Sequence, residues 1–512
     1  MSAWSDGYVS DINYTYGYYT ELNPNRVALP FLMAGLAVPK MAAACELGFG
    51  QGVSLNAHAA AGSANWWGTD FNPAHVGFAQ EMAAVSGNGA HVVDQAFNEF
   101  CARTDLPDFD FIGLHGIWSW VSHENRHILV DFIRRKLKVG GVLYISYNTL
   151  PGWAAAAPIR HLLAEHAHVM SAPGQGMVQR VTDSVGFTRE LLGLSHHYCQ
   201  QVPSIPQRIT QIGEQNPHYL AHEYFNRDWH PMYFAEMQDW LEAAKLSYAC
   251  SANYLDDFAP ALFDQEQQAF LAQITDASFA QTAKDYLLNK QFRKDYWVKG
   301  ARKISSVQAE QSWQQLRFLL MTPANDIALN INSHRAITLL PEMYQPVLTA
   351  LADGQVHPFA DLAAAAEATT LSRGQLFEIL AVLHAKGDVV LVQDEETVAA
   401  ARPRCRALNR YLLQLSRVSG DVPYLVSPLS GGAITYDRIN QLFLLAYSEG
   451  KKKPAQWVDF AWQALQAQQQ LLIHQGEVLQ TEAENRTELK RLAAHFADKV
   501  LPTALTLEIV AD

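Results

Sequence analysis

Between Met41 and Tyr147 short apolar runs alternate with longer stretches in which apolar residues recur every three or four positions. The first pattern reads as buried strand and the second as helix. Met41 to Ala44, Asn65 to Asp70, Ala90 to Asp94, Phe109 to His115 and Val142 to Tyr147 are the predicted strands. Helices are expected between them: from Val53, over Pro73–Val85 with Asn72 as N-cap, and over Glu124–Leu137, closed by Gly140-Gly141. A further helix is expected at Asn25–Leu36, before the first strand. Regular alternation of this kind predicts an α/β fold, a Rossmann-like parallel sheet with ligands at the strand C-terminal ends.

From Ala154 to Asn226 the periodicity is helical, with turn signals at Pro173-Gly174 and Pro203 to Pro206. An amphipathic helix, Met232–Ala244, and a strand, Leu246–Cys250, then follow. The predicted organisation is therefore a ligand-binding domain over 1–153, completed by about 230–256, with a helical insertion at 154–229 for capping or dimerisation. Residues 257–300 read as a connecting region. Three helical patterns (Leu339–Leu351, His357–Ala366, Leu371–Lys386) and the apolar run Gly387–Val392 predict a winged-helix-like domain over 301–400. Such modules bind DNA or protein. A mainly helical C-terminal domain is expected over 401–512, with helices near 404–416, 436–447, 455–474 and 482–499.

The candidate chemistry sits at the first strand–helix junction, Cys45-Glu46-Leu47-Gly48-Phe49-Gly50-Gln51-Gly52. Glycines at 48, 50 and 52 let backbone approach a ligand closely, and the helix start aims free N–H groups at it. Glu46 can accept hydrogen bonds from an ammonium or a hydroxyl. The spacing is E-x-G-x-G-x-G and departs from the G-x-G-x-x-G pyrophosphate fingerprint, since position 53 is Val. Ahead of the first strand lies a tyrosine run, Tyr14 to Tyr19, which serves either as packing or as a lid whose ring faces attract a cation. His123-Glu124-Asn125-Arg126-His127 matches the zinc-protease signature H-E-x-x-H, but it opens a crossover helix and no third ligand follows at a familiar spacing. No metal site is expected. His218 and His222 pair on a helical stretch and read as ordinary.

The 512 residues allow several domains, and 49% hydrophobic with 17% charged residues describes a globular chain. A net charge of −13 argues against nucleic acid or an anionic membrane as partner, leaving only Arg134–Lys136 and Lys451–Lys453 as local basic patches. It also favours protein over DNA for the winged-helix-like module. Five scattered cysteines form no C-x-x-C pair, so neither a disulfide framework nor structural zinc is expected. No signal-type run opens the sequence, and Val27–Val38 is interrupted by Pro30 and too short to span a bilayer, which predicts a cytoplasmic protein.

Several stretches together resemble a known family. They are Tyr16-Gly17-Tyr18-Tyr19 with Glu21-Leu22-Asn23-Pro24, the motif Glu46 to Gly52, Gly113 to Ser122, Tyr147 to Trp153, and His222-Glu223-Tyr224-Phe225. They are similar to class I S-adenosylmethionine (SAM) methyltransferases with a methyltransferase regulatory domain, a group that includes bacterial outer-membrane-protein lysine methyltransferases. The match is good over 14–256 and thin over 300–512. The resemblance implies SAM as cofactor, a protein side chain such as lysine as acceptor, and a possible homodimer. It implies that Gly48, Gly50 and Gly52 form the cofactor turn, that Glu46 anchors the methionine end, and that Tyr16 and Tyr18 cover it. Asp70 would take the ribose hydroxyls, Phe71 would flank the adenine, and Asp94 would accept from its amino group. Tyr147 and Asn148 are expected on the acceptor side, with His115 touching cofactor or acceptor, unless these are simply packed strand ends. A SAM-binding regulatory protein without methyl transfer, a small-molecule methyltransferase and a NAD-linked oxidoreductase stand as alternatives.

Overall fold

A computed structural model describes residues 15–172 and 174–511. Tyr14, Pro173 and the opening Met1–Asp6, used above, lie outside the described residues. At its centre is a seven-stranded sheet of β1 (Ala43–Leu47), β2 (Asn65–Thr69), β3 (His91–Val93), β4 (Phe109–Leu114), β5 (Leu137–Asn148), β6 (Leu246–Ser251) and β7 (Phe292–Lys299). The strand order is β3-β2-β1-β4-β5-β7-β6, with β1 to β5 parallel and β7 antiparallel to both its neighbours. The first helix is α1 (Ala28–Met33), entered through 3-10 turns at Thr20–Leu22 and Pro24–Val27, so the expected helix from Asn25 starts later and ends earlier. The parallel strands are joined through α2 (Val53–Ala61), α3 (Pro73–Ser86), α4 (Phe97–Ala102) and α5 (His123–Lys136). Asn72 caps α3 as expected, its side chain accepting from Ala74 N at 3.0 Å.

Alternate residues of the strands enter cores on opposite faces of the sheet, as the two-residue strand period requires. Ala44, Phe111, Tyr144 and Tyr296 pack with Leu22, Phe31, Leu55 and Trp66 on one face. Cys45, Ile112, Ile145 and Trp297 pack with Phe132, Ile133 and Met237 on the other. A sheet covered on both faces leaves the strand ends as the place where a ligand can enter.

The insertion folds as α6 (Ala157–Val169), α7 (Met177–Leu194), α8 (His196–Gln201), α9 (Ile205–Glu214) and α10 (Pro217–Tyr224), around its own core of Trp153, Leu163, Val181, Ile209 and Leu220. Next come α11 (Phe234–Glu242) and β6. The stretch 257–300, expected to be a connector, carries β7, which inserts between β5 and β6 and pairs Tyr147 with Arg293 and Asn148 with Phe292. Its sequence, Phe-Arg-Lys-Asp-Tyr-Trp-Val-Lys, hides a buried strand because Arg293 and Asp295 are buried as an ion pair.

Further on, helices Pro341–Leu351, Phe359–Glu367 and Arg373–Lys386 form as expected. The strand after them, Val389–Leu391, pairs with a strand at Arg317–Leu320 for which no expectation stands above. No wing hairpin follows it among the described residues. Instead Asp394 caps a long helix, Glu395–Leu415, which begins well before the expected start at 404 and runs through Pro403. Later helices are Arg438–Ser448, Pro454–Ala467 and Glu482–His495; the second of them ends short of the expected 474, where the small strand Ile473–His474 forms. The C-terminal half shares a core with the sheet domain: Val53, Ala57, Ala60 and Met82 pack against Val398, Cys405, Leu408 and Leu425. Arg404 donates to Ala60 O at 3.2 Å and Gly62 O at 2.8 Å, satisfying carbonyls at the end of α2. Among the described residues no helix is long and apolar enough to cross a membrane.

Candidate active site

The C-terminal ends of β1, β2 and β4, with the loops after them, open onto a cavity of about 480 Å3. Its floor is the glycine turn. Gly48, Gly50 and Gly52 have φ of +74°, +58° and +71°, a region where a side chain costs about 1–2 kcal/mol. A Cβ at Gly48 would also run into the Ile117 side chain. The turn is held by backbone and carboxylate: Gly48 N donates to Thr69 O at 2.8 Å and Gly50 N to Asp70 Oδ2 at 2.9 Å. Glu46, Gly48, Gly50, Asp70 and Phe71 all line the cavity, whereas Gly52 starts α2 and lies against Ala79 behind the wall.

The acidic groups differ in how they are satisfied. Asp70 accepts from Gly50 N and from Asn72 N (3.0 Å), and its Oδ1 lies 3.3 Å from His75 Nδ1. Glu46 is 2% exposed and its Oε2 has no hydrogen-bond partner. Burial, with the charge of Asp70 adding to it, pushes the Glu46 carboxyl well above the usual carboxylate range. A buried carboxylate without a donor is costly, so the place is suited to a ligand that brings one. Gln95, which also lines the cavity, has a second buried acceptor with no partner, its Oε1. Two unsatisfied acceptors facing one cavity fit a ligand with separated amino groups, as SAM has.

The extended segment 15–19 presents alternate residues to opposite sides. Thr15, Gly17 and Tyr19 line the cavity, so Tyr16 and Tyr18, expected there, face away. Tyr16 stands edge-on to Phe78 with ring centres 5.1 Å apart. The Tyr18 hydroxyl lies 3.1 Å from His58 Nε2, and its ring packs near Tyr424. Tyr19 instead stacks on His115, ring centres 3.5 Å apart and planes at 18°. His115 Nδ1 is 2.8 Å from the Tyr144 hydroxyl, and burial pushes the imidazole down to about 3, so it is neutral at ordinary pH.

Three other expectations change. Asp94 is exposed and off the wall, and its neighbour Gln95 takes the position beside Ala96 and Phe97. Tyr147 points to the far face of the sheet, where its hydroxyl donates to Asp295 Oδ2 at 3.0 Å. There Arg293 bonds Asp295 and Asp285 at 2.9 and 2.7 Å. Asn148 is buried, its N–H donating to Ser119 Oγ at 2.8 Å and its carbonyl accepting from Met232 N at 3.0 Å. Trp120 and Asp228, which the sequence reading did not single out, complete the wall together with Gln95, Phe97 and Ile117. His123 and His127 both pack on Trp240, at 5.2 and 4.8 Å between ring centres. Among the described residues no group of three or more His, Cys, Asp or Glu side chains is placed to hold a metal ion.

Residues 216–299, covering α10, α11, β6 and β7, match the family model described as "Predicted methyltransferase regulatory domain". The uncharacterized protein sll1526 of Synechocystis is 36% identical over 512 residues, covering 99% of each chain. The uncharacterized protein RP789 of Rickettsia prowazekii is 25% identical over 291 residues, 54% of this chain and 49% of that one. Among solved structures, PKMT2 from Rickettsia typhi in complex with AdoHcy superposes with a TM-score of 0.67 at 17% identity, over 97% of this chain and 99% of that one. At that identity the likeness is one of fold.

Proposed function

The chain belongs to the family of the Synechocystis protein, which has the class I methyltransferase fold and carries the regulatory domain, and from that premise we propose that it binds SAM and methylates a protein side chain such as lysine. The observation that carries the reading is Glu46: a buried carboxylate with a free oxygen, at the lip of a positive-φ glycine turn, facing a cavity large enough for SAM. Glu46 would accept from the methionyl ammonium while the glycine turn admits the chain beside it. Asp70 keeps lone pairs for the ribose hydroxyls. Gln95 replaces Asp94 as acceptor for the adenine amino group, with Phe71, Phe97 and Ile117 around the ring. SAM supplies a methyl group already activated by the adjacent sulfonium, so the protein's share is alignment and a deprotonated acceptor. Tyr19 and neutral His115 stand on the wall nearest the β4 end, and neither adds a positive charge beside a sulfonium. The R. typhi PKMT2 was solved with AdoHcy, the product SAM would leave, which supports the same cofactor here. The reading also takes in a cytoplasmic protein, resting on the sequence pattern alone, and a possible homodimer, resting on the family resemblance.

Thermal unfolding with SAM, its demethylated product and NADH tests the cofactor. A ligand at a hundred times its dissociation constant stabilises by about 2.7 kcal/mol. A shift with SAM and its product but not NADH is expected. Stabilisation by NADH alone, or by none of the three, would overturn the reading.

A further inference from the structure

Giving Glu46 the methionyl ammonium leaves the carboxylate of the same group without a partner. Among the described residues no lysine or arginine lines the cavity, so that carboxylate has to be met by neutral donors. Glu46 stands opposite Gly113 in the pairing of β1 with β4, and Gly113 stands opposite Tyr144 in the pairing of β4 with β5. Paired residues share a face of the sheet. His115, two residues beyond Gly113, contacts Tyr144 and so lies on that face, one strand over from Glu46 and about 7 Å further along. Both line the cavity.

The hydrogen bonds behind the ring have a fixed direction. Gly116 N can only donate, and it does so to Ser146 Oγ at 2.8 Å. Ser146 is fully buried and also hydrogen-bonds the Tyr144 hydroxyl, which lies 2.8 Å from His115 Nδ1. With Ser146 donating to Tyr144 and Tyr144 donating to Nδ1, every proton in the chain has an acceptor. The reverse direction leaves the buried Ser146 proton with none among the described residues, an arrangement native interiors avoid. Burial keeps the imidazole neutral, so it carries a single N–H, and Nδ1 as acceptor puts that proton on Nε2. Lys294, whose charge reaches the ring, is itself paired with Glu21 at 2.6 Å.

We propose that the Nε2–H of His115, held in that tautomer by Tyr144, Ser146 and Gly116, donates to the methionyl carboxylate while Glu46 accepts from the ammonium. The proposal rests on the SAM reading above. The two charged groups of an α-amino acid sit on one carbon, so an acceptor and a donor on neighbouring strands meet them together. An N–H facing a carboxylate makes a charge-assisted bond, stronger than a neutral one, and brings no positive charge near the sulfonium. A ligand without the carboxylate leaves the Nε2–H unmet, so the pair selects for an intact α-amino acid end.

The test titrates the demethylated product of SAM, and the same molecule without its carboxylate, calorimetrically into the full chain. The wild type should bind the intact product at least tenfold more tightly. His115→Phe keeps a ring against Tyr19 but has no donor. It should lose at least tenfold in affinity for the intact product and less than threefold for the decarboxylated one, whose binding also shows that the variant is folded. Nitrogen NMR of the ligand-free, histidine-labelled chain, with His115 assigned by its loss in that variant, should show Nε2 protonated and Nδ1 bare. Tyr144→Phe should abolish that preference. No wild-type preference for the carboxylate, equal losses for the two ligands in His115→Phe, a proton on Nδ1 in the wild type, or an unchanged tautomer in Tyr144→Phe would each overturn the proposal. Failure of the wild type to bind either ligand would instead overturn the SAM reading.

Discussion

At the glycine-turn end of the cavity Glu46, Gly48, Gly50 and Asp70 come from one short stretch of chain, tied together by Gly48 N to Thr69 O and Gly50 N to Asp70. At the α10 end Tyr19, His115, Trp120 and Asp228 come from separate parts of the chain: the N-terminal segment, the loop after β4 and the segment after α10. The first end is shaped by backbone conformation, which local sequence dictates. The second is shaped by packing and by the buried charges of β7. Damage to the first end should therefore appear in ligand affinity, and damage to the second, His115 excepted, in stability and in use of the acceptor.

The largest effect is expected behind the second end. Arg293 is 6% exposed and bridges Asp285 and Asp295, and burial pushes the Asp285 carboxyl up to about 6 despite that partner. Removing the guanidinium leaves two carboxylates buried without a counter-charge, a loss of about 3–5 kcal/mol. Arg293→Ala should therefore show a much lower denaturation midpoint. A midpoint unchanged from wild type would mean that β7 is not what holds the second end together.

Next in size is Glu46→Gln, which acts on the first end with opposite signs on two readouts. The affinity for SAM should fall by about 1.5–3 kcal/mol, the range for hydrogen bonds to a charged group. Without ligand the variant should melt higher than wild type. The folded-state pKa of Glu46 is raised, so its contribution to stability is present in full below the unfolded value and lost as pH rises through the folded one. Glutamine does not ionise, and the gap between variant and wild type should widen from acid to neutral pH. Calorimetric melting at several pH values checks this, and a variant less stable than wild type throughout would contradict it.

The same contrast governs what could be read from the sequence. Five β-strands, the glycine turn and Glu46, Gly48, Gly50, Asp70 and Phe71 were legible because each depends on neighbours within one strand–turn–helix unit. The departures from expectation along the cavity wall are ones of parity. In an extended segment one position decides the face, so Tyr19 lines the cavity in place of the expected Tyr16 and Tyr18, and Gln95 in place of Asp94. Tyr147 is another case: Tyr144 contacts His115 and Ser146 Oγ accepts from Gly116 N, while Tyr147 is directed to Asp295 on the far side. β7 was missed for a different reason, since its buried ion pair erases the apolar run that marks a central strand. Nothing local announces Asp228, which the segment after α10 brings to the wall, or Trp120 in the loop after β4.

A smaller effect is expected from Tyr147→Phe. The variant loses one hydrogen bond to Asp295, whose Oδ2 still accepts from Arg293. About 0.5–1.5 kcal/mol of stability should go, with no change in SAM affinity, measured by denaturant unfolding and calorimetric titration. A marked loss of SAM binding would bring Tyr147 back to the cavity.

An effect of the same size tests whether the first end is as local as it looks. Tyr18 lies between α2 and the hairpin formed by Tyr424–Ser427 and Gly432–Thr435, with its hydroxyl against His58, and a Cβ at Gly432 would run into that hydroxyl. Asn23 Nδ2 donates to Ser430 O at 3.2 Å in the same seam. Burial pushes the Tyr18 hydroxyl up to about 12 and His58 down to about 3, so the contact joins two neutral groups and its loss should cost about 0.5–1.5 kcal/mol. Tyr18→Phe keeps the ring in the seam and leaves Tyr19 stacked on His115, so SAM affinity should change by less than about threefold, the effect of a fraction of that energy. A tenfold loss would mean that the C-terminal half sets the position of the segment over the cofactor. The glycine-turn end would then be as dependent on remote packing as the end under α10.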